Sequence, residues 1–443
     1  MKSIQSADLS RYSEAYARKS DAKLIHNALY KLSIPDLAFV GDAMLGKHFH
    51  FSVDIKTLPA TNQKSSGRCW LFAAANVLRE RIAKEKNLEN FELSQAWLAF
   101  WDKFERCNYY LESIISLLDR DIDDRTLRHV IQSGVSDGGQ WDMFVNVIEK
   151  YGILPKDNYP DNAQSAGTGP MNGQLNIYLK RCSAVLREMY AAGASAEEIG
   201  AEKDAMLEKI YVFLVTCYGE PPKTFDFEYK SKDGKITVEY GLTPMEFKKK
   251  YVGDILQDYV SIINGPTADK PYYKTYTVEL LGNVADGKDV KYLNLPMDEF
   301  KDAVISQMKD GEIVWFGSDC GKFGERQFKA LWDPAIYDYD SVTGLDTYMT
   351  KAQGLDYSYS AMNHAMVLTG VHIVSEKPTR WKIENSWGDA SPNKGYFFCT
   401  DEWFDRFVYQ AVVHKKYLEK YKDALESDPI VLKPWDPMGT LAE

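Results

Sequence analysis

The cysteine at position 69 stands where a polar loop, residues 63–68, gives way to an apolar-periodic pattern that predicts a helix from Trp70 onward. Backbone N–H groups at a helix start lack partners and, with the positive end of the helix dipole, favour a thiolate over a thiol. Gln63 lies upstream in the same loop, where its side-chain amide can donate to an oxyanion. The pattern therefore predicts a nucleophilic Cys69.

A histidine and an asparagine far along the chain supply partners for such a cysteine. His364 opens one apolar run and Asn385 closes another, with polar residues 375–379 between them. An antiparallel hairpin that turns close to Ser375 pairs the two runs and makes His364 and Asn385 neighbours. With Cys69, these residues predict a Cys-His-Asn nucleophilic centre.

The roles follow from the chemistry of each side chain. Cys69 attacks a carbonyl as a thiolate, and protonated His364 stabilises the thiolate and then gives a proton to the leaving amine. Asn385 orients the imidazole, Trp387 shields their hydrogen bond from water, and Gln63 holds the oxyanion with the backbone N–H of Cys69. Each residue alone also fits a structural role. Their order along the chain, the position of Gln63 shortly before Cys69 and the hairpin pairing of His364 with Asn385 together favour catalysis.

The surrounding pattern predicts elements that position this centre. Polar helical segments at residues 8–31 precede an alternating, strand-like stretch at residues 48–53. A long helix carries Cys69, an aromatic-rich helix follows residues 92–95, and a third run ends at Gly152. Further elements are expected later in the chain: a helical tract at 183–215, a hairpin at 229–238, a strand at 276–281, a helix at 297–308 and a buried strand at 313–316.

Three motifs in this order, QKSSGRCW, NHAM and ENSWG, resemble the papain-like cysteine peptidases. DGGQWDM at residues 137–143 and PWDPMG at residues 434–439 narrow the resemblance to the bleomycin hydrolase and bacterial aminopeptidase C family. The similarity spans nearly the whole chain. Any one motif is weak evidence, but their joint presence and order are specific.

The resemblance implies an α+β, papain-like fold with a helical subdomain, an antiparallel β-barrel-like subdomain, a large insertion and a C-terminal arm. The expected divisions are an N-terminal hook or wrap at 1–60, the helical subdomain at 61–155, a largely helical insertion with hairpins at 156–330, the β subdomain at 331–427 and an arm into the cleft at 428–443.

For function, the resemblance implies a cysteine aminopeptidase that removes N-terminal residues from short peptides and also hydrolyses bleomycin-like amides. The carboxylate of the arm, at Glu443 or at Ala442 after trimming, would meet the free amine of the substrate. Gly138 and Gly139 would let a substrate backbone approach, although a plain turn is the alternative. The resemblance also implies that Trp70 supports the site. Because the family assembles as hexamers, a homo-hexamer is expected.

Composition limits other functions. The net charge is −11 without a long basic stretch, so nucleic-acid binding is not expected, and no apolar run is long enough for a membrane span. Six widely spaced cysteines disfavour disulfides and a zinc site, and we expect neither a metal nor another cofactor. The polar N-terminus lacks the apolar core of a secretory signal, which predicts a cytoplasmic protein.

Three alternatives remain open at this stage. An open cleft would make the protein a cysteine endopeptidase of the same family. Acyl transfer or thioester chemistry on a substrate other than a peptide would use the same centre. A binding protein or nucleic-acid-associated oligomer that only retains the fold is disfavoured by the intact Gln63, Cys69, His364 and Asn385 and by the acidic balance.

Overall fold

The computed structural model describes residues 1–442, which form an α+β fold, as the sequence predicts. The α-helices are α1 Ser6–Arg18, α2 Ala22–Leu29, α3 Ile34–Ala38, α4 Cys69–Lys86, α5 Gln95–Ser116, α6 Arg125–Ser133, α7 Trp141–Tyr151, α8 Ala163–Ala166, α9 Gly169–Ala191, α10 Ala196–Tyr218, α11 Pro244–Tyr251, α12 Met297–Lys309, α13 Tyr339–Thr343, α14 Lys351–Asp356, α15 Asp401–Phe407 and α16 Lys422–Glu426. Short 3₁₀ turns lie at Gly41–Met44, Lys156–Asn158, Ile255–Asp258, Pro334–Ile336, Lys415–Tyr417, Glu419–Tyr421 and Pro437–Ala442.

One large sheet organises the fold. The strands are β1 Val53–Asp54, β2 Phe225–Lys230, β3 Ile236–Leu242, β4 Tyr259–Ile263, β5 Thr275–Val278, β6 Tyr292–Asn294, β7 Val314–Ser318, β8 Gly324–Glu325, β9 Leu331–Trp332, β10 His364–Val374, β11 Lys377–Glu384, β12 Tyr396–Thr400, β13 Val408–His414 and β14 Ile430–Leu432. The large sheet has the order β14-β5-β6-β4-β13-β7-β10-β11-β12-β9-β8, with β1 added to β10, whereas β2 and β3 form a separate hairpin. Strands β7, β10, β11, β12 and β13 pair with their neighbours mainly in antiparallel fashion.

The alternation of side chains along β10 divides the core in two. Val367 joins a core with the helices α4, α5 and α7, whereas Met366 and Leu368 face a second core with α12 and α15. Successive residues of a strand point to opposite faces, so the sheet is covered on both sides. Helix α4 is thereby held directly against β10 and β7, which brings Cys69 to the sheet.

The helical tract predicted at residues 183–215 is present as two helices, α9 and α10. The chain turns between α9 and α10, where Gly193 has a positive φ of 83°. Ser195 then starts α10 as a capping box, because its side chain accepts from the N–H of Glu198. The Ser195-x-x-Glu198 spacing in the sequence is the signal that marks this break. The N-terminal helical region likewise divides, into α1 and α2.

Of the strand predicted at residues 48–53, only the last residue, Val53, pairs with another strand, β10. The predicted alternation of side chains is nevertheless present: Phe49 and Phe51 are partly buried and His48 and His50 are exposed. Phe49 packs against Phe398 with ring centroids 5.8 Å apart. Side chains, rather than backbone hydrogen bonds, therefore hold this segment.

The segment predicted as an insertion, residues 156–330, contributes to two different parts of the fold. Its helices α9 and α10 and the β2–β3 hairpin lie outside the large sheet, whereas β4, β5, β6 and β7 are strands within it. The predicted hairpin, the helix α12 and the strand β7 lie where the sequence indicates.

No helix within residues 1–442 is long and apolar enough to cross a membrane. All six cysteines are free thiols in this part of the chain.

Candidate active site

Cys69 is the first residue of α4, as the sequence predicts. No side chain caps the start of this helix, so its first N–H groups are available to a ligand. The Sγ atom is buried and accepts a hydrogen bond from the backbone N–H of Ala365 at 3.4 Å. Because Ala365 follows His364 at the start of β10, this bond ties the thiol to the strand that carries the histidine.

The predicted hairpin brings His364 and Asn385 together. Strands β10 and β11 are joined by a two-residue turn at Ser375 and Glu376, both with positive φ values, 49° and 65°. Such turns match the right-handed twist of the flanking strands. At the far end of the hairpin, Nε2 of His364 lies 2.9 Å from Oδ1 of Asn385.

The amide of Asn385 determines which nitrogen of His364 carries the proton. Oδ1 of Asn385 also accepts from the N–H of Ser386 at 2.8 Å, so it is an acceptor and Nε2 of His364 must be the donor. In a neutral imidazole this leaves Nδ1 with a free lone pair. His364 can therefore accept a proton through Nδ1 while Asn385 holds its ring.

Burial controls the charges of the thiol and the imidazole. Burial raises the pKa of Cys69 to about 11, although the N–H of Ala365 opposes the shift. Burial likewise lowers the pKa of His364 to about 4, against the hydrogen bond that His364 donates to Asn385 and with a smaller contribution from the positive charge of Arg326. Burial thus favours the neutral pair over a charge on either residue alone. The thiolate–imidazolium pair stays a prediction that requires both charges to form together.

Gln63 is fixed beside this pair. Its backbone N–H donates to the carbonyl of Ser386 at 2.8 Å, and its Oε1 accepts from Oγ of Ser386 at 2.6 Å. Its Nε2 donates to the carbonyl of Ser66 at 2.6 Å, which uses one of the two N–H groups and leaves the other for a ligand. The loop before Cys69 and the segment after Asn385 are thus joined through one glutamine.

Trp387 and Trp70 occupy different sides of the site. The indole of Trp387 stacks on the His364 ring, with centroids 5.0 Å apart and planes 25° from parallel. Trp70 is buried, and its Nε1 donates to the carbonyl of Asp137 at 2.6 Å. Trp70 therefore anchors the loop that carries the two glycines.

The two glycines have different surroundings. A Cβ on Gly138 would lie 2.2 Å from the carbonyl oxygen of Leu441, so the absent side chain gives room to the C-terminal arm. A Cβ on Gly139 would lie 2.4 Å from the Trp70 ring, so this glycine permits close packing inside the protein. Gly138 lines the cleft, whereas its neighbour contacts the core; substrate contact stays a prediction for both.

The C-terminal arm, residues 428–442 of the described chain, reaches the cleft at Thr440 and Leu441. Its strand β14 pairs with β5, and Asp436 forms an ion pair with buried Lys270 at 2.8 Å. Thr440 donates to the carbonyl of Met362 at 2.9 Å. A cleft of about 500 Å³ remains, and the residues that line it include Gln63, Cys69, Gly138, Asn363, His364, Thr440 and Leu441.

The carbonyl of Ala442 is held by two donors that the sequence analysis missed. Oγ of Ser136 donates to it at 2.7 Å and the guanidinium of Arg106 at 3.3 Å. Arg106 is in turn fixed by buried Asp102 at 2.9 Å. Ser136 lies next to the quoted glycine motif, but no sequence signal distinguishes Arg106 from other charged residues of an amphipathic helix. Glu443, which was predicted to contact substrate, lies outside the described residues.

Asp137 organises the loop on the other side of Cys69. Its carboxylate accepts from the N–H of Gly67 at 3.1 Å and pairs with Lys103 at 2.6 Å, and it also accepts from Thr168 and Asn172. Burial opposes its charge, but Lys103 and the hydrogen bonds outweigh burial and hold its pKa well below the usual range. This carboxylate therefore stays charged and pins the turn before Cys69 to α5.

A buried ion pair connects the helix of Cys69 to Glu384, the last residue of β11 and the neighbour of Asn385. Arg79 of α4 donates to Glu384 of β11 at 2.9 Å, and Asn76 donates to the same oxygen at 2.9 Å. Burial raises the pKa of Glu384 to about 7, in opposition to the charge of Arg79. In the sequence, Glu384 is noted only as part of the ENSWG motif. No local sequence pattern predicts its contact with Arg79.

Comparisons with known proteins concern the chain as a whole. A model of the peptidase C1-like family matches residues 3–439. Aminopeptidase C of Lactobacillus delbrueckii subsp. lactis is 50% identical over 396 residues, covering 88% of each chain, and bleomycin hydrolase of Homo sapiens is 40% identical over 404 residues, covering 89% of each. The crystal structure of PepW from Lactobacillus rhamnosis HN001 superposes with a TM-score of 0.96 at 45% identity and covers 99% of both chains.

Proposed function

Because the chain belongs to the peptidase C1-like family and has its papain-like fold, we propose that this cysteine peptidase is a cytosolic aminopeptidase that removes N-terminal residues from short peptides. The observation that carries the proposal is the arm, whose residues Thr440 and Leu441 line the same cleft as Cys69 and His364. An arm in this place leaves little room for substrate residues on the amino-terminal side of the residue to be removed. The relatives named aminopeptidase C support the same activity.

The proposed reaction is acyl transfer to sulfur followed by hydrolysis. Sγ of Cys69 attacks the scissile carbonyl as its proton passes to Nδ1 of His364, and the imidazolium then protonates the leaving amine. Asn385 keeps the imidazole in place throughout. The free N–H of Gln63 and the backbone N–H of Cys69 hold the oxyanion that forms on the carbonyl.

The proposed exopeptidase selectivity depends on the end of the arm. Arg106 and Ser136 hold the backbone of Ala442 next to Gly138. A terminal carboxylate here, on Glu443 or on Ala442 after trimming, pairs with the free α-amine of a substrate and rejects a blocked one. Bleomycin-like amides with a free amine are a secondary substrate class in this proposal, in line with the human relative.

Paired fluorogenic peptides test the proposal. The two substrates are identical except for a free or an acetylated N-terminus, and both are assayed under reducing conditions. We expect kcat/KM for the free-amine peptide to exceed that for the acetylated peptide by at least about a hundredfold, since loss of a charge-assisted contact leaves a buried carboxylate unpaired. Equal cleavage of both peptides would instead identify an endopeptidase.

We further propose that the chain assembles as a homo-hexamer. Helix α1 has no buried residue and exposes Leu9, Tyr12 and Tyr16, which gives it an uncovered apolar stripe. Sedimentation velocity is expected to give the mass of six chains, and deletion of residues 1–18 is expected to give smaller species. A wild-type protein that sediments as a monomer at micromolar concentration would contradict this assembly.

A further inference from the structure

An exposed arginine lies over the tryptophan that covers the histidine. The Cζ atom of Arg326 is 4.0 Å from the centre of the Trp387 ring, and that indole stacks on His364 with centroids 5.0 Å apart. A guanidinium on an aromatic face is attracted by the ring quadrupole and retains its in-plane N–H groups for other partners. A fixed positive charge thus lies one side chain away from the imidazole.

The loop that carries Arg326 is held by a buried carboxylate. Glu325 is 6% exposed, and its side chain accepts from the backbone N–H groups of Gln327, of Phe328 at 2.7 Å and of Lys329 at 2.8 Å. Lys329 in turn donates to the carbonyl of Lys47 at 2.7 Å. The turn between β8 and β9 is therefore fixed at both ends, and Arg326 is presented from a preorganised backbone.

The position of the arm determines which part of a substrate would pass Arg326. Leu441 lies against Gly138, so the amino end of a substrate stops on that side of Cys69. The leaving amine receives its proton from His364 and must therefore lie on the side of His364 and Trp387. The part of the peptide beyond the scissile bond thus leaves the cleft past Trp387, towards Arg326.

Within residues 1–442, Arg326 has no anionic partner that would compete with a substrate. Among residues 1–442 no carboxylate forms an ion pair with it and no carbonyl accepts a hydrogen bond from it, although the net charge of the protein is −11. Its positive charge also contributes to the lowered pKa of His364. An anion bound to Arg326 would offset that contribution and make His364 a better proton acceptor during the attack by Cys69.

We propose that Arg326 is a specificity-determining residue that binds a carboxylate on the leaving portion of the substrate, while Trp387 supports the guanidinium. The inference rests on the proposed function. Two sources supply this chemistry: the C-terminal α-carboxylate of a dipeptide, and an acidic side chain directly after the scissile bond. Both are anions that a guanidinium binds with two N–H groups.

The experiment compares kcat/KM for two substrate pairs. Ala-Ala and Ala-Ala-amide differ only in the α-carboxylate, and Ala-Asp-amide and Ala-Asn-amide differ only in the side-chain carboxylate. In Arg326→Gln we expect the carboxylate-to-neutral ratio to fall about three- to tenfold for at least one pair, as for one partly exposed charge-assisted contact. The pair whose ratio falls identifies the source of the anion.

Two further variants make the result specific. Arg326→Lys keeps the charge and is expected to retain most of the ratio, whereas Arg181→Gln removes the same charge from an exposed site on α9 and is expected to leave the ratio as in the wild type. An unchanged ratio for both pairs in Arg326→Gln would overturn the inference. Ala-Ala-amide carries no carboxylate, so its cleavage tests the proposed aminopeptidase function independently of Arg326. If the wild type does not cleave Ala-Ala-amide, the proposed aminopeptidase function fails.

Discussion

Cys69→Ala is expected to lower kcat for the free-amine peptide by at least about ten-thousandfold, because the attacking atom is lost and no other group can form the acyl intermediate. The substitution replaces one small buried side chain by another, so the fold should persist. The measurement is steady-state hydrolysis under reducing conditions at enzyme concentrations high enough to detect the residual rate. Folding is checked by circular dichroism and thermal unfolding.

Two comparison variants show whether the loss belongs to chemistry at Cys69. Cys217→Ala removes a partly exposed thiol of α10, outside the cleft, and is expected to retain wild-type kcat. Gln63→Ala keeps the nucleophile but removes the proposed oxyanion donor, and we expect about a 10²- to 10³-fold loss of kcat. Substantial hydrolysis by Cys69→Ala would contradict a cysteine nucleophile at this position.

The sequence predicts the helix start and the hairpin of this site, since each depends on residues that are close together in the sequence. The helix start at Cys69 follows from the change of pattern after the polar loop, and the turn at Ser375 and Glu376 follows from two apolar runs around a polar link. That turn brings the strand ends that carry His364 and Asn385 together, although the two residues are 21 positions apart in the sequence. Strong local patterns therefore predict both the elements and one long-range contact.

The sequence does not predict contacts that depend on the packing of distant elements. Arg106 on α5 reaches the carbonyl of Ala442, and Arg79 on α4 reaches Glu384, yet each arginine looks like an ordinary charged helix residue. Side-chain pairs of this kind are set by how helices and sheet pack, which leaves no periodic signal. The strands β4, β5 and β6 likewise join the large sheet although their stretch of chain reads as an insertion.

Burial of Cys69 and His364 affects the first step of the proposed reaction, the proton transfer between them. Burial disfavours a charge on Cys69 or on His364 alone. Proton transfer from the thiol to the imidazole therefore needs neighbouring groups that stabilise the two charges. The helix start at Cys69 and the N–H of Ala365 both favour the thiolate, and Asn385 favours the imidazolium. A substrate carboxylate at Arg326 would act in the same direction.

Deletion of residues 437–443 is expected to convert the enzyme from an exopeptidase into an endopeptidase. The deletion removes Leu441 from its place against Gly138 and opens the cleft on the amino side, but it keeps Asp436 and its ion pair with Lys270. We expect kcat/KM for the acetylated peptide to rise at least about tenfold, because the arm no longer blocks the amino side of the cleft. We expect kcat/KM for the free-amine peptide to fall by about a hundredfold, because the proposed carboxylate partner of the amine is lost.

A point variant separates the backbone of the arm from its apolar contacts. Leu441→Ala removes buried side-chain atoms at a cost of about 2–5 kcal/mol in the free energy of unfolding, but it leaves the backbone and terminus in place. It is therefore expected to keep the preference for the free amine while it lowers the melting temperature. A truncated protein that folds, as judged by a cooperative thermal transition, and still rejects the acetylated peptide would show that selectivity resides elsewhere in the cleft.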